Sequence, residues 1–464
     1  MKKSLAVIFG MLLLLCVSCT KVDKFTTDIR YGISFSSDTI AFDTVFTSAG
    51  SSTKRVSVYN SSKYSLRLKA YLAGGEQSPF RLNADGESGT VFDDLAIWPN
   101  DSLSVFVSVT IDPRDSDLPF FVQDSVIFAL ESGGEYKLLL TAFGQDAVIL
   151  RCVEFSSDTT LSAARPYIVF DSLCIGSGAR LTINPGARLC FHKDAFIKCN
   201  GAINASGTAD SVICFSTDRL DEIYNGLKFR LLPGMWGGIR LENVTDTCLF
   251  GFCNIQGAET AISNVADSLS APFLSLKLDC SVIHNNSGYC VYAQNTDMLI
   301  QNCQVTNAAE NCLHVERSGK VVSEQSTFAN FYPFASCGSA VLVDSTDECS
   351  FTGCIITGMS NNELSVTSGS NVSLGNTLAM VRDTAVLALA SDCVFETADS
   401  GKSQDKNFRN IDHINFVYNF ELNPESPAVG LVKIPLSDCD LKGRPRYTGA
   451  WAPSSAGCYE YTNE

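Results

Sequence analysis

The chain has 464 residues, a formal net charge of −16, 45% hydrophobic residues and only four histidines. An acidic balance of this size is a poor match for nucleic acid or an anionic bilayer surface, and mainly favours solubility. The length predicts two or three domains.

Lys2 and Lys3 precede an apolar run at residues 5–15, which has signal-peptide length and is too short to span a bilayer. The run leads into Cys16-Val-Ser-Cys19, with a polar stretch behind it. This pattern resembles a bacterial lipoprotein signal, in the looser form of Bacteroidetes lipoproteins, since Cys16 stands where an aliphatic residue is usual. The resemblance implies cleavage before Cys19, acylation of its thiol and an outer-membrane protein held by its lipid alone. An ordinary secretory signal is the alternative. Residues 1–18 are thus read as the signal peptide and 19–25 as a tether. Cleavage removes two lysines and takes the net charge from −16 to −18. No other apolar run is long enough to cross a membrane.

Residues 26–147 read as an all-β domain, with strands expected at 33–35, 40–46, 55–59, 66–72, 80–82, 103–111, 125–130 and 136–142. Several alternate cleanly, as in Leu103, Val105, Val107 and Val109, and turns such as Asp85-Gly86 and Gly133-Gly134 separate them. Short strands at this spacing predict a β-sandwich. It resembles the immunoglobulin-like domains that precede β-helices in Bacteroidetes lipoproteins, which implies a spacer or docking module. It holds no cysteine, and so lacks an inter-sheet disulfide. Asp112, Asp115 and Asp117 are a calcium candidate or a solvated acidic turn.

Residues 148–241 read as opening coils of a repeat, with an extended polar loop at 217–232 carrying Arg219, Asp221, Glu222, Tyr224 and Arg230. The repeat is clearest from 247 to 390. Cys253, Ser281, Cys303, Ser326, Cys354 and Thr377 set a register with steps of 28, 22, 23, 28 and 23 residues. Around each, apolar residues alternate, two residues intervene, and alternation resumes. Alternation marks a strand with one buried face. The phase break marks a corner, and the Asn or Gly ending most copies suits one. A period of 22–23 residues made of strands and corners is a solenoid whose coils bury an inner face only when stacked. Three buried columns are expected: Phe250, Leu278, Ile300, Ser323, Phe351, Leu374; Ile255, Ile283, Val305, Phe328, Ile356, Ala379; and the register column itself, whose small residues let the chain bend tightly beside a corner. The 28-residue steps imply about five extra residues looped out.

This pattern resembles the right-handed parallel β-helix proteins of the pectate-lyase-like superfamily, over roughly residues 152–395. The resemblance implies an all-β chain: the sandwich, a right-handed single-stranded parallel β-helix over 148–397, and a C-terminal segment, 398–464. Ser426-Pro-Ala-Val-Gly430, the stretch from Asp440 to Arg446 and Gly457-Cys-Tyr-Glu460 resemble a tail found after such β-helices, with an Asp missing from the first block and Cys458 in place of Ala. That tail is expected to cap the last coil.

Outside the leader, 17 cysteines remain, an odd number, so at least one thiol is unpaired. Most sit on strand positions and read as small apolar fillers. No Cys-x-x-Cys pair occurs among them, so no metal site is expected. Cys439 with Cys458 is the main disulfide candidate, and Cys290 with Cys312 a second.

Enzymes of this fold place acids or a base on one outer face of neighbouring coils. The candidates here are Asp279 and Glu324, two coils apart with Gln301 between them. Glu316, Arg317 and Asp344 read as a surface ion pair of little worth. His284 and His314 fall on adjacent coils but different strands. No nucleophile motif or phosphate loop occurs. Phe331, Tyr332 and Phe334 lie in one looped-out segment and are read either as a stacking surface for sugar rings or as a local packed cluster. No cofactor is expected, calcium aside. The reading that follows is a membrane-anchored binding or structural rod for glycans or cell-surface partners, with no nucleic acid partner. A polysaccharide lyase or glycoside hydrolase working along the coils is the alternative.

Overall fold

A computed structural model of the protein describes residues 24–224, 226–244, 246–265, 273–382, 387, 389–396, 404–447 and 453–462. The expected signal peptide and Cys19 lie outside the described residues. The chain divides into two units: Met1–Arg114 with Pro119–Gln145, and Asp115–Leu118 with Asp146–Glu464.

The first unit is a β-sandwich of two five-stranded sheets. One has the order Ser34–Phe35, Lys54–Asn60, Asp101–Val109, Phe80–Ala84, Glu87–Gly89; the other is Thr39–Phe46, Glu135–Gln145, Phe120–Leu130, Leu66–Leu72, Val91–Ile97. The alternating residues fill its core, among them Val56, Val58, Leu68, Val105, Val107, Leu138 and Leu140. The strand at Val91–Ile97 was not expected. Asp93 and Asp94 break its alternation, and the pairing slips there, with a register shift against Leu68 and Ala70.

The second unit is a parallel β-helix with three strands per coil. The first strands form a ten-stranded sheet, and the second and third strands run together in an eighteen-stranded one. The first two expected columns are in register. Phe250 pairs with Leu278, then Ile300, Ser323, Phe351 and Leu374. Ile255 pairs with Ile283, then Val305, Phe328, Ile356 and Ala379. Every one of these side chains is buried. The third strands add a file of Ile262, Val291, Leu313, Val341 and Leu364.

The corners differ in detail from the expectation. The residue before each register position is left-handed: Phe252, Cys280, Asn302, Gln325, Gly353 and Asn376, with φ of 48, 44, 50, 40, 64 and 48°. Most are not glycine, so each carries roughly 1 kcal/mol of local cost that the stack must offset. Part of the compensation is visible in the register column. Ser281 Oγ accepts the Cys253 N–H, Ser326 Oγ accepts the Cys303 N–H and Thr377 Oγ1 accepts the Cys354 N–H, at 3.0, 3.0 and 3.2 Å. Each hydroxyl then donates to a carbonyl near the corner. Smallness alone does not explain the column; every second coil supplies a hydroxyl to an amide of the coil before. Of the copy-ending residues, Gly257, Asn285 and Asn307 are left-handed, whereas Asn330 turns its side chain to the carbonyls of Glu310 and Gly338.

The second 28-residue step is the loop between Thr327–Asn330 and Val341–Asp344; the extra residues of the first fall partly outside the described residues. The C-terminal segment is applied to the flank of the coils. Its hairpin, Phe408–Asp412 with Val417–Leu422, and the chain beyond it pack Phe408, Phe420, Leu422, Leu441 and Tyr459 against Ala329, Ile355 and Leu378, which point outward from the second strands. The left-handed corners are its attachment points. Asn302 Oδ1 accepts from Arg446 at 2.7 Å, Gln325 Oε1 accepts the Leu436 N–H at 2.7 Å, and the Gly353 carbonyl accepts the Gly457 N–H at 2.8 Å. Within the tail, the buried Asp440 carboxylate receives Arg444 Nε and the Glu460 N–H, so the tail motifs lock one another.

Replacing Ser326 by Ala strands the Cys303 N–H inside the coil and should lower the stability of the β-helix by about 1–3 kcal/mol. Ser326→Thr, which keeps the hydroxyl as Thr377 does, should be close to neutral; urea denaturation of the two variants checks this.

Candidate functional site

The outer face of the second strands is closed. Gln304, Thr306, Thr327, Thr357 and Met380 all point outward there and all are buried. The tail covers the later coils, and the end of the extended loop covers earlier ones, where Asn285 Nδ2 donates to the Leu231 carbonyl at 3.1 Å. That loop is braced by Arg219, whose guanidinium pairs with Asp221 at 2.7 Å and lies 3.7 Å from the Phe229 ring centre. His284 is half-buried, with Asn254 Oδ1 at 3.2 Å, and desolvation holds its imidazole down at about 4.

The third-strand face is open, and the coil register assembles a polar and aromatic cluster on it. Tyr292 pairs with His314 and then Leu342 along one outward file; Gln294 pairs with Glu316 and then Asp344 along the next. Tyr289 and Tyr292 stack at 5.1 Å, and His314 lies 5.5 and 5.0 Å from their ring centres. Tyr292 Oη donates to Glu316 Oε2 at 2.8 Å, and Gln294 Nε2 donates to the same oxygen at 2.9 Å. Arg317 reaches the other carboxylate oxygen at 3.2 Å. Asp344 accepts from the hydroxyls of Thr367 and Ser345. His314 Nδ1 and Arg317 Nε are enclosed without a hydrogen-bond partner.

These contacts fix the protonation states. Burial raises the Tyr292 hydroxyl to about 12, with its bond to Glu316 acting in the same direction. Burial lowers His314. Burial opposes ionisation of Glu316, but the donors Gln294 and Tyr292 and the Arg317 charge outweigh it and hold the carboxyl below its ordinary range. The Thr367 hydroxyl does the same for Asp344. The cluster therefore presents two ionised carboxylates, a neutral imidazole and two phenols.

The candidates read from sequence are placed elsewhere. Asp279 and Glu324 share an outward file of the first strands, each paired in register with Gln301. That puts their strands about 9–10 Å apart, and Gln301 Nε2 donates to Glu324 at 2.5 Å, filling the gap between them. Of the looped aromatics, Phe331 and Tyr332 are buried and Phe334 is 36% exposed. Phe331 packs near Phe408 and Phe420, and Phe334 stacks on Phe416 at 5.5 Å. Their rings are taken up by the C-terminal hairpin, which corrects the reading of an exposed stacking surface in favour of the packed cluster. Cys439 and Cys458 are free thiols, as are Cys290 and Cys312, so the expected disulfides are not formed; Cys458 is wholly buried against the coils, with its N–H on Thr327 Oγ1. Asp115 and Asp117 engage Arg165 at 2.9 and 2.5 Å, which takes up two carboxylates of the calcium candidate.

One further buried acid stands out. Glu363 is fully enclosed at the base of the looped-out segment, where it accepts the Ala340 and Ser360 N–H groups at 2.6 and 2.5 Å. Burial outweighs those two donors and raises its carboxyl to about 7.

Residues 275–398 match the family model for a right-handed β-helix region, which fixes the hand of the coils. The comparison with curated proteins returned no match. Among solved structures, the chain is similar to a family 123 glycoside hydrolase from Clostridium perfringens at 10% identity and a TM-score of 0.20, over 26% of this chain and 30% of that one. It is similar to the periplasmic chaperone SfaE at 11% identity and a TM-score of 0.18, over 24% and 57%. The N-terminal domain of PorA matches at 14% identity and a TM-score of 0.17, over 23% and 86%. This chain thus spans less than a third of the glycoside hydrolase and little over half of the chaperone.

Glu363 sets a pH dependence. Its folded value of about 7 lies above the ordinary carboxyl value of 4.5. The stability it permits is therefore complete below pH 4.5 and is lost as the pH rises through 7, to the extent of about 3 kcal/mol. Glu363→Gln should unfold at higher urea than the parent protein at pH 8 and show no such advantage at pH 4.5.

Proposed function

We propose that the protein is an exported lipoprotein, acylated at Cys19 and held at the outer membrane, whose β-helix is a rod that binds glycans on its third-strand face. One observation carries the binding reading: the Tyr289, Tyr292, His314 and Glu316 cluster gathers aromatic rings and ionised carboxylates on an open strand face of the later coils. Aromatic rings supply apolar faces for sugar rings, and carboxylate and amide groups accept and donate to sugar hydroxyls. A β-helix suits a structural or binding role because its surface is built from rows of side chains at fixed spacing. The Cys19 motif supports the anchor, and the cysteine-free sandwich serves as an immunoglobulin-like spacer or docking module. A cell-surface protein is the other partner class for the same face.

The second reading, a polysaccharide lyase or glycoside hydrolase, is favoured by the convergence of Glu316, Asp344, Arg317 and His314. It is disfavoured by their state. A general acid for glycosidic cleavage needs a carboxyl held above its ordinary range, and both carboxyls here are held below it. Tyr292 at about 12 is equally unsuited to act as a base near neutrality.

Cys19→Ser should move the protein from the membrane to the soluble fraction of cells expressing it. On a glycan array, the mature chain should bind a defined subset of polymers, and Tyr292→Ala should weaken that binding about tenfold, equivalent to 1.4 kcal/mol. Release of reducing ends or unsaturated uronates from any array polymer would replace the binding reading with the enzymatic one.

A further inference from the structure

We infer that a pocket along the edge leading into the third strands binds a small zwitterionic ligand, with one ammonium and one carboxylate, of the α-amino acid class. The pocket has a volume of about 310 Å³ and brings together Asp194, Arg240, Glu259 and Ser287 around Trp236. That volume is at the lower end of small-molecule sites.

Its frame is rigid. Trp236 is buried, stacks on Phe191 at 4.1 Å and donates its indole N–H to the Gln256 carbonyl at 2.9 Å. Arg240 lies over the Phe196 ring, 4.2 Å from its centre, which holds the guanidinium flat. Two glycines keep the space open. A Cβ at Gly237 would come within 3.3 Å of Arg240 Nη2, and one at Gly234 within 2.8 Å of Ser287 Oγ.

The charges at the mouth are what identify the ligand. Asp194 and Glu259 line it as two acids and Arg240 as one base, and no ion pair among the described residues joins them. The Arg240 guanidinium lies on the Phe196 ring instead. A ligand with only a carboxylate would meet Arg240 and be repelled by two acids. One with only an amine would meet the acids and be repelled by Arg240. A group carrying both charges satisfies both walls, and Ser287 adds a neutral hydroxyl. This inference does not depend on what the Tyr289 and Tyr292 face binds.

Titration calorimetry of the mature chain with glycine, alanine, glutamate and lysine, and with the N-acetyl and C-amide derivatives of each, tests it. At least one free amino acid should bind, and blocking either charged group should weaken binding at least tenfold. Arg240→Gln should erase the difference between free acid and amide, and Glu259→Gln the difference between free amine and N-acetyl form. Thermal melts matching the parent protein show that the variants remain folded. Absence of binding by every free amino acid, equal binding of blocked and free forms, or unchanged affinity in both variants would each overturn the inference.

Discussion

The structure depends on side chains of one coil resting on their equivalents in the next. A single coil has no inside; its Phe250 or Ile255 is buried only because Leu278 and Ile283 lie directly beneath. Parallel pairing brings successive strands to about 4.8 Å, and at that distance a column of like residues is packed without gaps. The same stacking carries the corners. A left-handed Phe252 or Asn302 is tolerated because the neighbouring coil supplies a hydroxyl to the amide that follows it. Local strain at alternate corners is thus offset by a contact with the adjacent coil, which makes the unit cooperative along its axis.

Stacking also decides where function can reside. A coil has three outer faces, and the chain uses its own tail and one long loop to close the second. The tail does so by binding the very corners that the stacking strains: Asn302, Gln325 and Gly353 each hold it. What remains open is set by subtraction, and the third-strand face carries the richer chemistry. Its residues come from four coils and have no proximity in the chain. Gln294, Glu316, Asp344 and Thr367 meet only because the register places them in one file.

How much of this was legible in the sequence follows from the same geometry. Alternation around a fixed register is local, so the inner columns could be read residue by residue. The outward files were legible in principle, since a known register for Val291 and Leu313 also aligns Tyr292 with His314 and Gln294 with Glu316. Reading Glu316, Arg317 and Asp344 as a lone surface ion pair missed the tyrosines beside them. The path of the tail was harder. Its contacts join residues more than a hundred positions apart, such as Arg446 with Asn302, and no local pattern encodes them. One signal was present nonetheless: Ile355 beside Ile356 places apolar residues on both faces of a strand, as strands buried on both sides do. The looped aromatics were ambiguous for a related reason, because a ring that stacks on a sugar and a ring that packs under a hairpin have the same local sequence.

The cysteines complete the physical picture. So many cysteines suggest a disulfide framework wherever a chain meets an oxidising compartment, yet every cysteine among the described residues is free. For most of the buried ones, Cys248 beside Cys199 being an exception, burial explains why this is sustainable. It raises the Cys354 thiol to about 11 and those of Cys190 and Cys458 to about 12, with Cys253 and Cys349 higher still. The thiolate is the reactive species in oxidation and exchange, so thiols held neutral inside the coils are inert. A small, buried column can then alternate cysteine with the hydroxyl residues that bind its amides, and the stacking that sets the fold also protects the residues it is built from.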